Sequence, residues 1–161
     1  MNDKERKYYC NKYKHVNLYF AHGRGWDPLT LTAAIELDSK WPNWMPFWLK
    51  RFNNRLLFAH KGRSIVKVTK FYHSLLRKLV PFITDYPRFL QIKEKYGSLR
   101  LYGCGKIGNT MEELSYSVCE ECGTTSNIGT TKGWIKTICK QCAIDNNRID
   151  NWTLNNHKYV T

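Results

Sequence analysis

Two pairs of cysteines in the second half of the chain constrain its fold more than any other feature. Cys119 and Cys122 are separated by two residues, and so are Cys139 and Cys142. Two thiols at this spacing fit around one tetrahedral metal ion, whose metal–sulfur bonds are about 2.3 Å long. The spacing therefore predicts that the four thiolates hold one structural zinc ion.

Two other interpretations of a Cys-x-x-Cys motif are a disulfide bond and a redox-active dithiol. Neither explains why the chain carries two such pairs. A closed shell of four thiolates leaves no open position for a substrate, so we expect the ion to stabilise the fold and not to catalyse a reaction. The remaining cysteines, Cys10 and Cys104, stand alone, and we interpret them as free, buried thiols.

The segment between the two pairs has the composition of β-strands interrupted by turns. Threonine and isoleucine are frequent in it, and Gly129 and Gly133 break the strand-forming stretches. Gly123 directly follows the first pair, where a positive φ lets the backbone turn beneath the metal. From this pattern we predict a zinc ribbon, in which two short hairpins hold the ion at their tips.

The net charge of +13 is concentrated in one part of the chain. Residues 40–80 carry ten basic and no acidic side chains, whereas residues 1–39 carry six and five, and residues 81–161 carry ten and eight. Such a one-sided block attracts a polyanion, and a solvated basic surface without a partner is the simpler alternative. We favour nucleic acid as the partner, with DNA ahead of RNA.

Helical spacing of apolar residues predicts three helices in the first half of the chain. The first runs from about residue 28 to residue 40, with Asp27 as its N-cap, and two basic helices follow from Pro46 and Ser64. Lysine lies on both sides of Trp134 in the ribbon as well. The predicted phosphate contacts are Lys50, Arg51, Arg55, Arg63, Lys67, Lys70, Arg77, Lys78, Lys132 and Lys136.

The remaining local patterns are shorter. We predict a strand at residues 15–20, a helix at 87–96 that ends before Gly97, and a strand at 98–102. A capping box at residues 110–113 predicts a helix leading into the first cysteine pair, and residues 143–152 a last helix before a tail. The fold class is therefore α+β, with a mainly helical basic region at 1–90 packed against a zinc-ribbon module at 91–161.

Three segments together resemble a group of small zinc-ribbon proteins of bacteriophages and prophages. They are QIKEKYGSLRLY at 91–102, SVCEECG at 117–123 and GWIKTICKQC at 133–142. The resemblance covers about the last half of the chain. It implies a phage or mobile-element origin and the cytoplasm of a host cell, and it implies no particular activity.

The sequence contains no recognised catalytic constellation, so we do not expect an enzyme. A zinc-dependent deaminase would need His-x-Glu and Pro-Cys-x-x-Cys, and both are missing. A nuclease with its catalytic histidine between the zinc-bound pairs would need a histidine between Cys122 and Cys139, and none is present. The five histidines are His15, His22, His60, His73 and His157.

Two functions fit these features. The first is a protein that binds nucleic acid through phosphate contacts, to regulate transcription or to protect or package DNA. The second is an interaction protein that binds an acidic host protein, with Trp41, Trp44 and Trp48 as anchors. Trp134 either stacks on a base or packs under the metal. We do not expect membrane binding, because an aromatic stripe at helical spacing is more often core, and we expect a cytoplasmic protein.

Overall fold

Helices and short antiparallel sheets alternate along the chain. The structure, a computed structural model, describes residues 1–41, 43 and 87–155. The two basic helices predicted from Pro46 and Ser64 lie outside the described residues, together with eight of the ten predicted phosphate contacts. The architecture below therefore concerns the two ends of the chain and the way they pack together.

Helix α1, Asp3–Lys12, begins with a capping box. The Asn2 side chain accepts from the N–H of Glu5, and the Glu5 carboxylate accepts from the N–H of Asn2, at 2.9 and 2.7 Å. A 3-10 turn at Lys14–Val16 follows, and Asn17 takes a positive φ of 59°. The strand predicted at residues 15–20 is wrong, because this tight turn reverses the chain where extended backbone was expected.

Helix α2, Asp27–Ser39, confirms the first predicted helix to within one residue at each end. Asp27 does not act as its N-cap. Its carboxylate is fully buried, accepts hydrogen bonds from the Arg6 guanidinium at 2.6–3.1 Å, and lies 3.3 Å from the terminal amine of Met1. Asp27 thus joins α2 to α1 through a buried ion pair, which no local pattern indicates.

Strands β1, Gln91–Lys95, and β2, Ser98–Tyr102, form an antiparallel hairpin in which Lys95 pairs with Ser98. The predicted strand at 98–102 is confirmed, and the helix predicted at 87–96 is wrong. Tyr96 and Gly97 both have positive φ, 53° and 71°, as a two-residue hairpin turn of type I′ requires. Pairing with β2 decides the conformation of β1, whose buried side chain is that of Ile92.

Helix α3, Lys106–Ser115, packs on β2 and on α2. It begins four residues before Thr110, so the predicted capping box does not start it, and Gly105 stands at its N-cap position. The buried Ser115 hydroxyl accepts from the N–H of Leu99 at 3.0 Å, which ties the end of α3 to β2. The helix does lead into the first cysteine pair, as predicted.

A second sheet has the strand order β4-β3-β5, with β3 at Ile128–Thr131, β4 at Thr137–Cys139 and β5 at Trp152–Leu154. Helix α4, Lys140–Asp145, follows β4 directly. The last helix predicted at 143–152 is wrong beyond residue 145. A 3-10 turn at Ile149–Asn151 returns the chain to the sheet, where β5 pairs antiparallel with β3.

Two clusters of buried side chains hold these elements together, and the α+β fold class is confirmed. The larger cluster consists of buried side chains from within residues 13–41 and 89–111, and Trp26 and Phe89 are fully buried in it. It therefore includes residues from both sides of the predicted boundary at residue 90. The smaller cluster surrounds Cys119, Cys139 and Ile138. None of the helices in the described ranges is long and apolar enough to span a membrane.

The Arg6–Asp27 pair generates a stability prediction. Arg6→Met leaves the buried Asp27 carboxylate with only the terminal amine as a cationic neighbour, so the free energy of unfolding should fall by about 3 kcal/mol. The control is Arg24→Met, which removes an exposed ion pair with Asp3 and should change it by less than about 1 kcal/mol. Urea denaturation measures both, and equal losses would contradict a special role for the buried pair.

Candidate metal centre

The first cysteine pair lies in a tight turn that its own backbone closes. The N–H of Gly123 donates to the carbonyl of Cys119 at 2.9 Å, and the N–H of Cys119 donates to the carbonyl of Thr124 at 2.8 Å. Gly123 has a φ of 81°, which confirms the need for glycine directly after the pair. Residues 119–124 are called the cysteine turn from here on.

The second pair lies where β4 passes into α4. Cys139 ends β4 and is the N-cap residue of α4, and its Sγ accepts from the N–H of Cys142 at 3.4 Å. Cys142 is in the first turn of that helix. The described residues thus contain one hairpin between the pairs, β3–β4, with a turn before it and a helix after it, where two hairpins were predicted.

The four sulfurs form a cluster of the right size for one metal ion. All four Sγ atoms lie within 4.8 Å of one another, and Sγ of Cys122 is 3.8 Å from Sγ of Cys139. Tetrahedral bonds of about 2.3 Å put two thiolate sulfurs about 3.8 Å apart, which is the distance between the sulfurs of Cys122 and Cys139. Cys119 and Cys139 are buried, whereas Cys122 is exposed, so an ion would enter from the side of Cys122.

The thiols differ in their affinity for protons. Burial raises the pKa of the Cys142 and Cys122 thiols. Burial also acts to raise the pKa of Cys119, but backbone N–H groups of Cys122 and Cys139 outweigh it and the pKa is lowered. A metal that binds the set must displace protons from the thiols with raised pKa, so metal affinity falls as the pH falls.

The cysteine turn docks on a glycine loop from the first half of the chain, residues 22–26. The N–H of Gly25 donates to the Glu120 carbonyl at 2.7 Å, and the N–H of Gly23 donates to the Glu120 carboxylate at 3.1 Å. A Cβ on Gly25 would overlap the carbonyl oxygen of Cys119. The loop therefore needs glycine there so that the two backbones can approach.

Trp26 completes this contact from the core side. Its side chain is fully buried, and its indole N–H donates to the carbonyl of Val118 at 2.9 Å. The carbonyl of Thr137 in β4 accepts from the N–H of Glu120 at 2.9 Å on the other side of the turn. The cysteine turn is thus held between the large cluster and the second sheet.

The other predicted site residues fall into three groups. Lys132 is exposed, whereas Lys136 is half-buried and its Nζ lies 2.5 Å from the Glu121 carboxylate, which neutralises its charge. Trp134 is 71% exposed, so the alternative in which it packs under the metal is wrong. The remaining predicted contacts, Lys50, Arg51, Arg55, Arg63, Lys67, Lys70, Arg77 and Lys78, lie outside the described residues.

The two isolated cysteines are free thiols, as predicted. Cys104 is buried, and burial raises its pKa to about 12, so it stays protonated at neutral pH. Cys10 is half-buried, so the prediction that it is a buried thiol is wrong, and its partial burial raises its pKa as well. Neither thiol belongs to the four-cysteine cluster.

Sequence reasoning missed Gly23, Gly25 and Trp26 as supports of the metal centre. The Gly-x-Gly-Trp pattern shows only that the chain turns there, since its partner lies almost a hundred residues away along the chain. Tyr96, which falls in the helix predicted at residues 87–96, is instead 70% exposed at the β1–β2 turn. The only sequence signal for a turn at this position is the glycine that follows the tyrosine.

Comparison with known proteins does not extend this description. No family model, no curated protein and no solved structure matches the chain. The function must therefore be inferred from the chemistry of its own residues.

The cysteine cluster predicts a metal content that substitution should remove. Cys119→Ser replaces a buried thiolate donor, and we expect the purified protein to lose most of its one metal ion per chain and to unfold at a lower temperature. Cys10→Ser is the matched control and should keep both. Elemental analysis and thermal unfolding measure the effect, and full metal retention by Cys119→Ser would contradict the assignment.

The docking of the cysteine turn predicts a second effect. Gly25→Ala should lower the free energy of unfolding by about 3 kcal/mol, because the new methyl group pushes the turn away from the glycine loop. Thr32→Ala, at an exposed position of α2, should change it by no more than about 0.5 kcal/mol. Metal-loaded protein is used for both urea titrations. An unchanged Gly25→Ala protein would mean that the contact does not support the fold.

Proposed function

We propose that this protein is a zinc-stabilised nucleic-acid-binding protein that contacts its partner mainly through phosphates. The observation that carries the proposal is the block of residues 40–80, with ten basic and no acidic side chains. A polyanion is the partner that such a field attracts, and nucleic acid is the polyanion whose binding depends on many separate phosphate contacts. DNA is the proposed partner.

Zinc is the proposed ion. Four thiolates are soft donors, and a closed tetrahedral set of them is typical of structural zinc. The ion has no open position in such a shell, so it supports the binding surface and takes no part in a reaction. The cytoplasm is the proposed location because thiols stay reduced there and are free to bind metal.

The resemblance of the second half of the chain to phage zinc-ribbon proteins supports a role in a phage-infected or lysogenic cell. Regulation of transcription and protection or packaging of DNA are the tasks that a basic protein of this size could perform by phosphate contacts. Nothing in the sequence favours base-specific reading, since no predicted helix begins with asparagine, glutamine or arginine.

A second candidate function is binding of a host protein, and one observation favours it. Tyr96, Trp134 and Ile135 are all exposed and line one groove, which is a common feature of protein-binding surfaces. Trp41 does not contribute to such a surface, because it is 2% exposed and its indole N–H donates to the carbonyl of Pro87. Trp44 and Trp48 lie outside the described residues.

Salt dependence tests the phosphate contacts. If six of the basic side chains contact phosphate, log K for a random-sequence duplex should fall with log salt at a slope of about −5, because each phosphate contact contributes about 0.9 to the slope. Substituting Arg51, Arg55, Lys67 and Lys70 by glutamine should reduce the magnitude of the slope by about 4. Fluorescence anisotropy over a range of salt concentrations measures both.

The control removes the same charge elsewhere. Lys4, Lys7, Lys12 and Lys106 are exposed, and their replacement by glutamine lowers the net charge equally. For this variant, the slope of log K against log salt should remain close to that of the wild-type protein. Equal losses in both variants would show that only net charge matters, and the absence of binding by the wild-type protein would overturn the proposal.

A further inference from the structure

The tips of the two hairpins lie side by side and form a groove. The hydroxyl of Thr137 donates to the carbonyl of Gly97 at 2.5 Å, which joins the β1–β2 turn to the start of β4. A Cβ on Gly97 would contact the side chain of Ile135 at 3.0 Å, so the two tips pack closely. The groove between them has a volume of about 380 Å³ and is lined by Glu94, Lys95, Tyr96, Gly133, Trp134 and Ile135.

Two large aromatic side chains stand exposed in this groove. Trp134 is 71% exposed and Tyr96 is 70% exposed, although each could bury more than 150 Å² in a core. Residues 132–135 are nevertheless held firmly. The hydroxyl of Thr131 donates to the carbonyl of Trp134 at 2.8 Å and accepts from the N–H of Lys136 at 2.9 Å. The Trp134 backbone is therefore fixed, with its ring left to solvent.

Tyr96 occupies a backbone conformation that disfavours it. Its φ of 53° is in the left-handed region, where asparagine or glycine is preferred at the first position of a type I′ turn. A bulky residue held there costs on the order of 1 kcal/mol. An exposed tyrosine at such a position contributes nothing to the core. Its side chain is therefore a candidate for contact with a binding partner.

The groove has lysine ammonium groups at its edge and one carboxylate, that of Glu94, in its lining. Nζ of Lys95 lies 5.1 Å from the centre of the Tyr96 ring, and Lys132 is exposed next to Gly133. The nearby carboxylate of Glu94 accepts from the N–H of Gly97 at 2.8 Å, and that of Glu121 pairs with Lys136. Two exposed aromatic rings, one of them with Lys95 over one face, and the ammonium groups beside them match a chain of bases joined by phosphates.

We propose that this groove binds unpaired nucleotides, with bases stacked on Trp134 and Tyr96 and phosphates contacted by Lys95 and Lys132. The inference rests on the proposed nucleic-acid function and adds a preference for single strands. Stacking needs a base with a free face, which a fully paired duplex does not offer except at its ends. The basic block would hold either form through phosphate, whereas the groove would distinguish them.

The test compares a short oligothymidylate with a blunt duplex of the same length, by fluorescence anisotropy with metal-loaded protein. Trp134→Ala and Tyr96→Asn should each weaken single-strand binding about 10-fold, since a stacked base contributes about that much or more. Duplex binding should change by less than about two-fold. Tyr8→Ala is the control, because it removes another exposed tyrosine, from α1, and should alter neither affinity.

The Tyr96→Asn variant separates binding from folding. Asparagine followed by glycine is the preferred pair for a type I′ turn, so the variant should unfold at the same temperature as wild type or higher. Loss of single-strand affinity with unchanged stability and metal content supports the proposal. Unchanged single-strand affinity in both variants, while wild type binds nucleic acid, overturns the groove and leaves the proposed function standing.

Three further outcomes of the binding experiments support or overturn the nucleotide proposal. If wild type binds neither the strand nor the duplex, the proposed function fails and the groove proposal fails with it. If an acidic polyglutamate peptide competes for the groove as well as the oligothymidylate does, with the same loss in Trp134→Ala, the site selects acidic protein surfaces and the nucleotide proposal is overturned. Displacement of the strand by other single strands at lower concentrations than by the duplex, with this preference lost in Trp134→Ala, supports it.

Discussion

The docking of the cysteine turn on the glycine loop is the contact on which the rest of the described structure depends. It joins residues that are almost a hundred positions apart, through hydrogen bonds from Gly23 and Gly25 to Glu120 and from Trp26 to Val118. The large cluster lies on one side of this contact and the four-cysteine cluster on the other. A metal ion that organises residues 119–142 therefore also stabilises the end of the chain where α1 and α2 begin.

This arrangement explains how a small module can present exposed aromatics. A three-stranded sheet with strands of three or four residues has little apolar area of its own to bury. The contact with the large cluster supplies part of the missing stability, and a metal ion held by the four thiols would supply more. Trp134 is thus not needed in the core of this sheet. Tyr96 lies on the other hairpin, whose Ile92, Leu99 and Leu101 fill the large cluster without it, so both rings are left on the hairpin tips, where they can contact a partner.

The two candidate partners place different demands on that surface. A protein partner would be held chiefly by burial of the aromatic rings, with charge affecting the rate of encounter. Nucleic acid would use the rings and the lysines together, and it would also engage the basic block at residues 40–80. Lys95 and Lys132 at the groove and the charge of that block point in the same direction, which is why nucleic acid is preferred.

Local patterns predicted some elements correctly and failed at others for a common reason. Helix α2 and strand β2 follow from apolar spacing within one segment. Strand β1 contains Ile92 as its buried apolar residue and is extended because β2 pairs with it, so no window limited to residues 91–95 could reveal it. Asp27 shows the same limit, since a residue that resembles a helix cap is instead the partner of Arg6 from another helix.

The sequence alone specifies the four candidate metal donors, the α+β class and the place of the positive charge. Only a few backbone dihedrals separate the two cysteines of each pair, so their spacing is enough to predict that their sulfurs lie close together. Tertiary structure alone decides that a glycine loop supports the two pairs, and that Trp134 stays outside the core while Trp41 does not. These outcomes depend on contacts between segments distant along the chain, and local sequence patterns do not predict which distant segments make favourable contacts.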